Sequence, residues 1–110
     1  MKLLYRISIG TEYDRTHNEL HTDVVRSILK SVRETLTDMF GGCNIVSGQG
    51  GYKMENGVHV SEKSAVIEVY AGLDDKHKLI GVCRGIATLL NAESVLLSAQ
   101  TCIVFEDIRQ

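Results

Sequence analysis

The chain contains no proline and no tryptophan, and it has only two phenylalanines and four tyrosines. Without proline it offers no polyproline segment and no stiff linker, so nothing in the 110 residues reads as a hinge between domains. An excess of one charge is also missing. Twelve Lys and Arg stand against fourteen Asp and Glu, for a net charge of −2, which leaves no electrostatic footprint for nucleic acid. No apolar run approaches the length of a transmembrane helix, and the start, MKLLYRISIG, is too short and too quickly polar for a signal peptide. The expectation is a cytoplasmic chain with no membrane partner. Cysteine is scarce. Cys43, Cys83 and Cys102 are odd in number and widely spaced, which suits reduced thiols buried as small hydrophobes better than a disulfide framework.

Hydrophobic residues make up 44% of the chain and charged residues 24%, as in an ordinary globular protein, and the length fits one domain over residues 1–110. Leu3, Tyr5, Ile7 and Ile9 alternate with Leu4, Arg6 and Ser8, the period-two pattern of a half-buried strand. A charged loop follows, up to His21. Thr22 or Asp23 is expected to cap a helix whose apolar stripe is Val25, Ile28, Leu29, Val32, Leu36, Met39 and Phe40, ended by Gly41-Gly42. Asp74 or Asp75 caps a second helix with Leu79, Ile80, Cys83, Ile86, Ala87 and Leu90 on its buried face. Residues Ser94 to Phe105 read as a last strand, and its polar middle, Ser98-Ala99-Gln100, predicts a bulge or an exposed span.

Between the helices, Phe40 to Gly72 reads as a long β-hairpin. Asn56-Gly57 predicts a type I′ turn, because both residues tolerate positive φ. With those two at the turn, Glu55 pairs with Val58, Lys53 with Val60, Gly51 with Glu62 and Ile45 with Glu68. The order β-α-β-β-α-β with right-handed crossovers gives an α+β, ferredoxin-like sandwich. Its four-stranded antiparallel sheet has the spatial order 4-1-3-2, with both helices on one face. The other face is expected to hold Arg6, Ser8, Gln49, Lys53, Glu62, Ser64 and Glu68 beside Leu4, Val66 and Tyr70. That mixture is too apolar for water alone, so a second subunit or a ligand is expected to cover it.

The run Phe40-Gly41-Gly42, then Gly48-Gln49-Gly50-Gly51-Tyr52, Glu62-Lys63-Ser64, Val66-Ile67-Glu68 and Ala92-Glu93-Ser94-Val95 resembles a group of small uncharacterised proteins common in bacteriophage genomes. These are akin to a bacterial domain family of unknown function. The resemblance covers most of the chain and implies a ferredoxin-like domain, often viral. By analogy with small viral proteins it points to binding, including the sequestering of nucleotide signals of host defence.

Few constellations carry a signal for chemistry. Gly48-Gln49-Gly50-Gly51 could cradle a phosphate, but a strand rather than a helix follows it, and the lysine and hydroxyl of a nucleotide-hydrolase loop are missing. A glycine-bent strand is the better reading. Glu62 and Glu68 sit six residues apart on one strand, ~20 Å by strand rise, too far for a glycosidase pair. His17 and His21 have i, i+4 spacing, yet no third metal ligand has a diagnostic position. Cys83 and Cys102 are expected to be buried, and Cys43 follows a helix C-terminus, whose dipole disfavours a thiolate.

The expectation that follows is a non-catalytic, oligomeric binding protein for a small anionic, nucleotide-like ligand, with no metal and no cofactor. Arg6 and Lys53 supply charge, Tyr52 a stacking surface, and Gln49 and Glu62 hydrogen bonds, while the loop with Arg15 and His17 closes over the ligand. One alternative is a small ferredoxin-like enzyme in which the cleft acid Glu62 transfers a proton. Another is a protein–protein inhibitor acting through the hairpin tip.

Overall fold

In the computed structural model, residues 2–53, 55–103 and 108–109 are described. The elements are β1 (Lys2–Gly10), α1 (Thr22–Phe40), β2 (Asn44–Lys53), β3 (His59–Gly72), α2 (Lys76–Leu90) and β4 (Leu96–Thr101). A short 3₁₀ turn, Leu73–Asp75, leads into α2. The strands form one antiparallel sheet in the order β2-β3-β1-β4, as the crossover argument requires. This is an α+β, ferredoxin-like arrangement. Among the described residues no helix is long and apolar enough to cross a membrane.

One face of the sheet carries the core. Leu3, Tyr5, Ile7 and Ile9 of β1 and Ile67, Val69 and Ala71 of β3 pack with Val25, Val32 and Leu36 of α1 and Leu79, Cys83, Ile86 and Leu90 of α2. Tyr5 is fully buried, yet its hydroxyl donates to the Gly72 carbonyl at 2.9 Å, which satisfies the one polar atom it brings inside. Burial, followed by the nearby Asp75 and Asp74, pushes its phenol above the usual range. Cys83 is buried and its thiol is likewise pushed up, whereas Cys43 and Cys102 are half-buried.

Helix ends follow local chemistry with two departures. Gly41 closes α1 in the left-handed region (φ 88°) and its N–H reaches the Thr37 carbonyl. At the other end His21, not Thr22 or Asp23, is the cap, and its Nδ1 accepts the Asp23 N–H at 3.2 Å. Asp75 stands at the N-cap of α2 as expected, but its side chain makes no capping bond there. Its Oδ2 instead accepts the Gly72 N–H at 2.9 Å, tying the end of β3 to the 3₁₀ turn. That bond holds the carboxyl below its ordinary range.

The hairpin differs from expectation by one residue. Lys53 pairs with His59, Gly50 with Glu62, Gln49 with Lys63 and Ile45 with Ile67. Gly57 takes positive φ (86°) while Asn56 does not, and the Asn56 side chain accepts the Val58 N–H at 3.0 Å, so the turn is not type I′. The physical reason lies at the far end, where the observed register puts Ile45 opposite Ile67 on the core face. The expected one would have turned Ile45 away from the core, opposite Glu68. Arg6, Glu62, Glu68 and Tyr52 therefore share the helix-free face, while Gln49 and Lys53 continue the opposite one. In β4 the pairs run regularly from Ser8–Leu96 to Leu3–Thr101 without a bulge, and Ser98, Ala99 and Gln100 are exposed. Ile103 lies beyond the strand and is exposed, and Phe105 lies outside the described residues.

Two substitutions test this packing. Gly41→Ala forces an L residue into the left-handed cap and is expected to cost about 1 kcal/mol. Leu36→Ala empties a fully buried site and is expected to cost about 2–5 kcal/mol. Urea unfolding midpoints read both, and a smaller loss for Leu36→Ala than for Gly41→Ala would show that the core was misassigned.

Candidate functional site

The segment after β1 folds back on itself as a strap. Tyr13 bridges to Glu19. The Asp14 carboxylate accepts from Thr16 N–H (2.9 Å), the Thr16 hydroxyl (2.8 Å) and Asn18 N–H (3.0 Å). His17 sits at the bend with φ 63°, a conformation that non-glycine residues adopt rarely outside tight turns. The strap is tied to β3 by Thr11 N–H to the Lys63 carbonyl and by Lys63 N–H to Glu12 Oε1, both 2.9 Å. Arg15 contributes its backbone N–H, bonded to the Asn91 carbonyl at 2.9 Å. Asn91 ends α2 in the left-handed region, and this turn directs Ala92-Glu93-Ser94 alongside the strap.

Strap, hairpin and post-helix turn frame an open cavity of ≈ 380 Å³. It is lined by Gly10, Tyr13, Asp14, His17, Tyr52, Glu62, Ala92, Glu93 and Ser94. The His17 ring lies 5.6 Å from Tyr13 and 6.3 Å from Tyr52, centroid to centroid, and its Nε2 is 3.2 Å from the Tyr52 hydroxyl. Glu62 Oε1 accepts the Tyr13 N–H at 3.3 Å. The Tyr52 phenol is pushed up by partial desolvation and then by Glu62 and Glu93, so it keeps its proton. Three carboxylates and two phenol rings line the space, with no lysine or arginine among the lining residues. Such a lining repels phosphate and attracts a compact cation.

Of the residues singled out in the sequence, Tyr52, Glu62 and His17 come together here. The other four do not line this cavity. Arg6 lies mid-sheet, where Nε meets Glu68 Oε2 at 3.0 Å and Nη1 donates to Gln100 Oε1 at 2.8 Å. Gln49 donates to the Ser61 hydroxyl at 2.7 Å on the other side of the hairpin. Lys53 lies at the strand end beside His59. The Arg15 side chain is exposed. His17 and His21 do not share a helical face, since the first is in the strap and the second caps α1. Among the described residues no three His, Cys, Asp or Glu side chains converge as metal ligands. Gly10, Tyr13, Asp14, Glu93 and Ser94 were missed in the sequence. Glu93 and Ser94 stood within a quoted motif, but nothing local placed them opposite Tyr52.

No protein-family model matches the chain, and no curated protein matches it in sequence. Solved structures do. A phage SAM lyase in complex with S-methyl-5'-thioadenosine superposes with a TM-score of 0.67 at 20% identity, covering 90% of this chain and 80% of that one. The apo state of a phage SAM lyase gives 0.58 at 20% identity over 89% and 78%. The divalent cation tolerance protein CutA1 from Thermus thermophilus gives 0.57 at 16% identity over 98% and 88%. The likeness establishes the fold. It also corrects the expectation of a non-catalytic protein that sequesters an anionic nucleotide signal: the similar phage protein is an enzyme, and the acidic lining disfavours an anion.

The strap depends on Asp14. Although partial desolvation acts the other way, the hydrogen bonds from Asn18 and Thr16 hold its carboxyl below the ordinary range. A lowered value means that the carboxylate stabilises the folded strap above the usual aspartate range of ~3.9. That contribution is lost as pH falls through the lowered value. Asp14→Ala is expected to remove it at neutral pH, seen as faster amide exchange at Thr16 and Asn18. Exchange unchanged from the parent would show that the strap is held by other contacts.

Proposed function

We propose that the protein is a small ferredoxin-like enzyme, a lyase acting on a sulfonium compound of the SAM type, with Glu62 as its catalytic carboxylate. The observation that carries the reading is the carboxylate and phenol lining of the cavity beside Glu62. A sulfonium is a compact cation, drawn to carboxylates and aromatic faces, and an adenosyl group suits a space of this size. The fold shared with a phage SAM lyase adds support.

The chemistry balances without water or an oxidant. Glu62 accepts a proton from the carbon next to the one bonded to sulfur, and the released pair forms a C=C bond. The C–S bond breaks with both electrons on sulfur. The nucleoside fragment leaves as a neutral thioether, of which S-methyl-5'-thioadenosine is an example, and its charge no longer holds it in an acidic site. Tyr52 and Tyr13 flank the nucleoside, and His17 orients Tyr52 through the hydroxyl.

Incubation with SAM, followed by mass spectrometry, is expected to yield S-methyl-5'-thioadenosine above the buffer control. Glu62→Gln is expected to lower that rate by ~100-fold or more, the range for a lost general base. SAM is expected to bind more tightly than ATP by calorimetry. Turnover equal to the control, or tighter binding of ATP, would overturn the reading. An isomeric lactone in place of the alkene would retain the lyase and remove the proton transfer.

We also propose that further copies of the chain cover the helix-free face, where Val46, Tyr70 and Leu96 are exposed around the Arg6–Glu68 pair. Light scattering at micromolar concentration is expected to give a dimer or larger. Leu96→Lys is expected to shift it towards monomer, and a parent monomer would refute the assembly.

A further inference from the structure

We infer that Gly10 is a positioning residue for Glu62: the side chain missing at the end of β1 is the socket in which the Glu62 carboxylate sits. The inference rests on the lyase reading for its kinetic consequence and on geometry for everything else. Gly10 pairs with Ser64, two residues along β3 from Glu62, and its even place in β1 turns it to the helix-free face that Glu62 shares. A Cβ at position 10 would stand 2.5 Å from Glu62 Oε1, 2.9 Å from Cδ and 3.1 Å from Oε2. Real Cβ atoms do not approach oxygen so closely, so any larger residue must displace the carboxylate.

The far end of a glutamate can move where a backbone cannot. An alanine would therefore leave the sheet intact and swing Glu62 out of the socket, away from the Tyr13 N–H that holds Oε1. Without the socket the carboxylate loses its fixed place in the cavity wall. A general base displaced by about 1 Å can lose ~100-fold in rate, because proton transfer depends steeply on alignment.

Gly10→Ala, Glu62→Asp and the double variant test this. Gly10→Ala is expected to unfold at the parent midpoint, to keep a KM near the parent's and to lose ~10–100-fold in kcat. In the parent, the Tyr13 amide proton is expected to be protected from exchange by its bond to Glu62 Oε1, and in Gly10→Ala that protection is expected to disappear. Aspartate is one methylene shorter and already vacates the socket, so the double variant is expected to be no slower than Glu62→Asp alone. Losses that multiply would mean that Gly10 acts independently of Glu62 and would overturn the inference. So would parent kcat in Gly10→Ala, or an unchanged Tyr13 amide. If the parent protein turns over no sulfonium, the lyase reading fails, and the Tyr13 amide still decides whether Gly10 positions Glu62.

Discussion

Side chains alternate across a strand with a period of two, so the pairing of β2 on β3 decides which of two chemically different surfaces each residue of the hairpin joins. The observed register places Ile45 opposite Ile67 and completes the core face near α1. The same choice sends Tyr52 to the side of Glu62 and Gly10, and Gln49 to the other side with Ser61. The cavity thus depends on an apolar contact at the opposite end of the hairpin. A slip of one residue would turn Ile45 away from the core and would take the phenol out of the site.

Much of the architecture is legible in the sequence because it rests on strong periodicity. The alternation of Leu3, Tyr5, Ile7 and Ile9 and the stripe from Val25 to Leu36 have few competing readings, and they carry strand order and helix placement with them. The hairpin register was not legible, since Asn56-Gly57 is a local signal and the register is settled by a contact at the other end of the two strands. The Asn56 side chain bonds the Val58 N–H, so only Gly57 of the pair needs positive φ.

The site was legible in pieces. Tyr52, Glu62 and His17 each stood out by residue type, yet their meeting depends on the strap folding back and on α2 ending in a left-handed asparagine. The role of Gly10 is a missing atom, which no pattern of residue types displays. The expectation of an anionic ligand rested on Arg6 and Lys53 as suppliers of charge, and neither lines the cavity. In the fold Arg6 is engaged by Glu68 and Gln100, and the carboxylates of the cavity are left without an opposing base in its lining.

The molecule is elongated, 49 Å against 27 Å in its other dimensions, because the hairpin runs on past the end of β1. From His59 to Lys63, β3 pairs with β2 alone among the described strands, and a two-stranded ribbon is marginal in water, so the strap's bonds to Glu62 and Lys63 are its other support. Tyr52 belongs to this outlying piece, whereas Gly10 belongs to the body of the sheet. One wall of the cavity therefore stands on two strands and the other on the four-stranded sheet. A molecule that touches both walls thus spans the two-stranded ribbon and the four-stranded sheet at once.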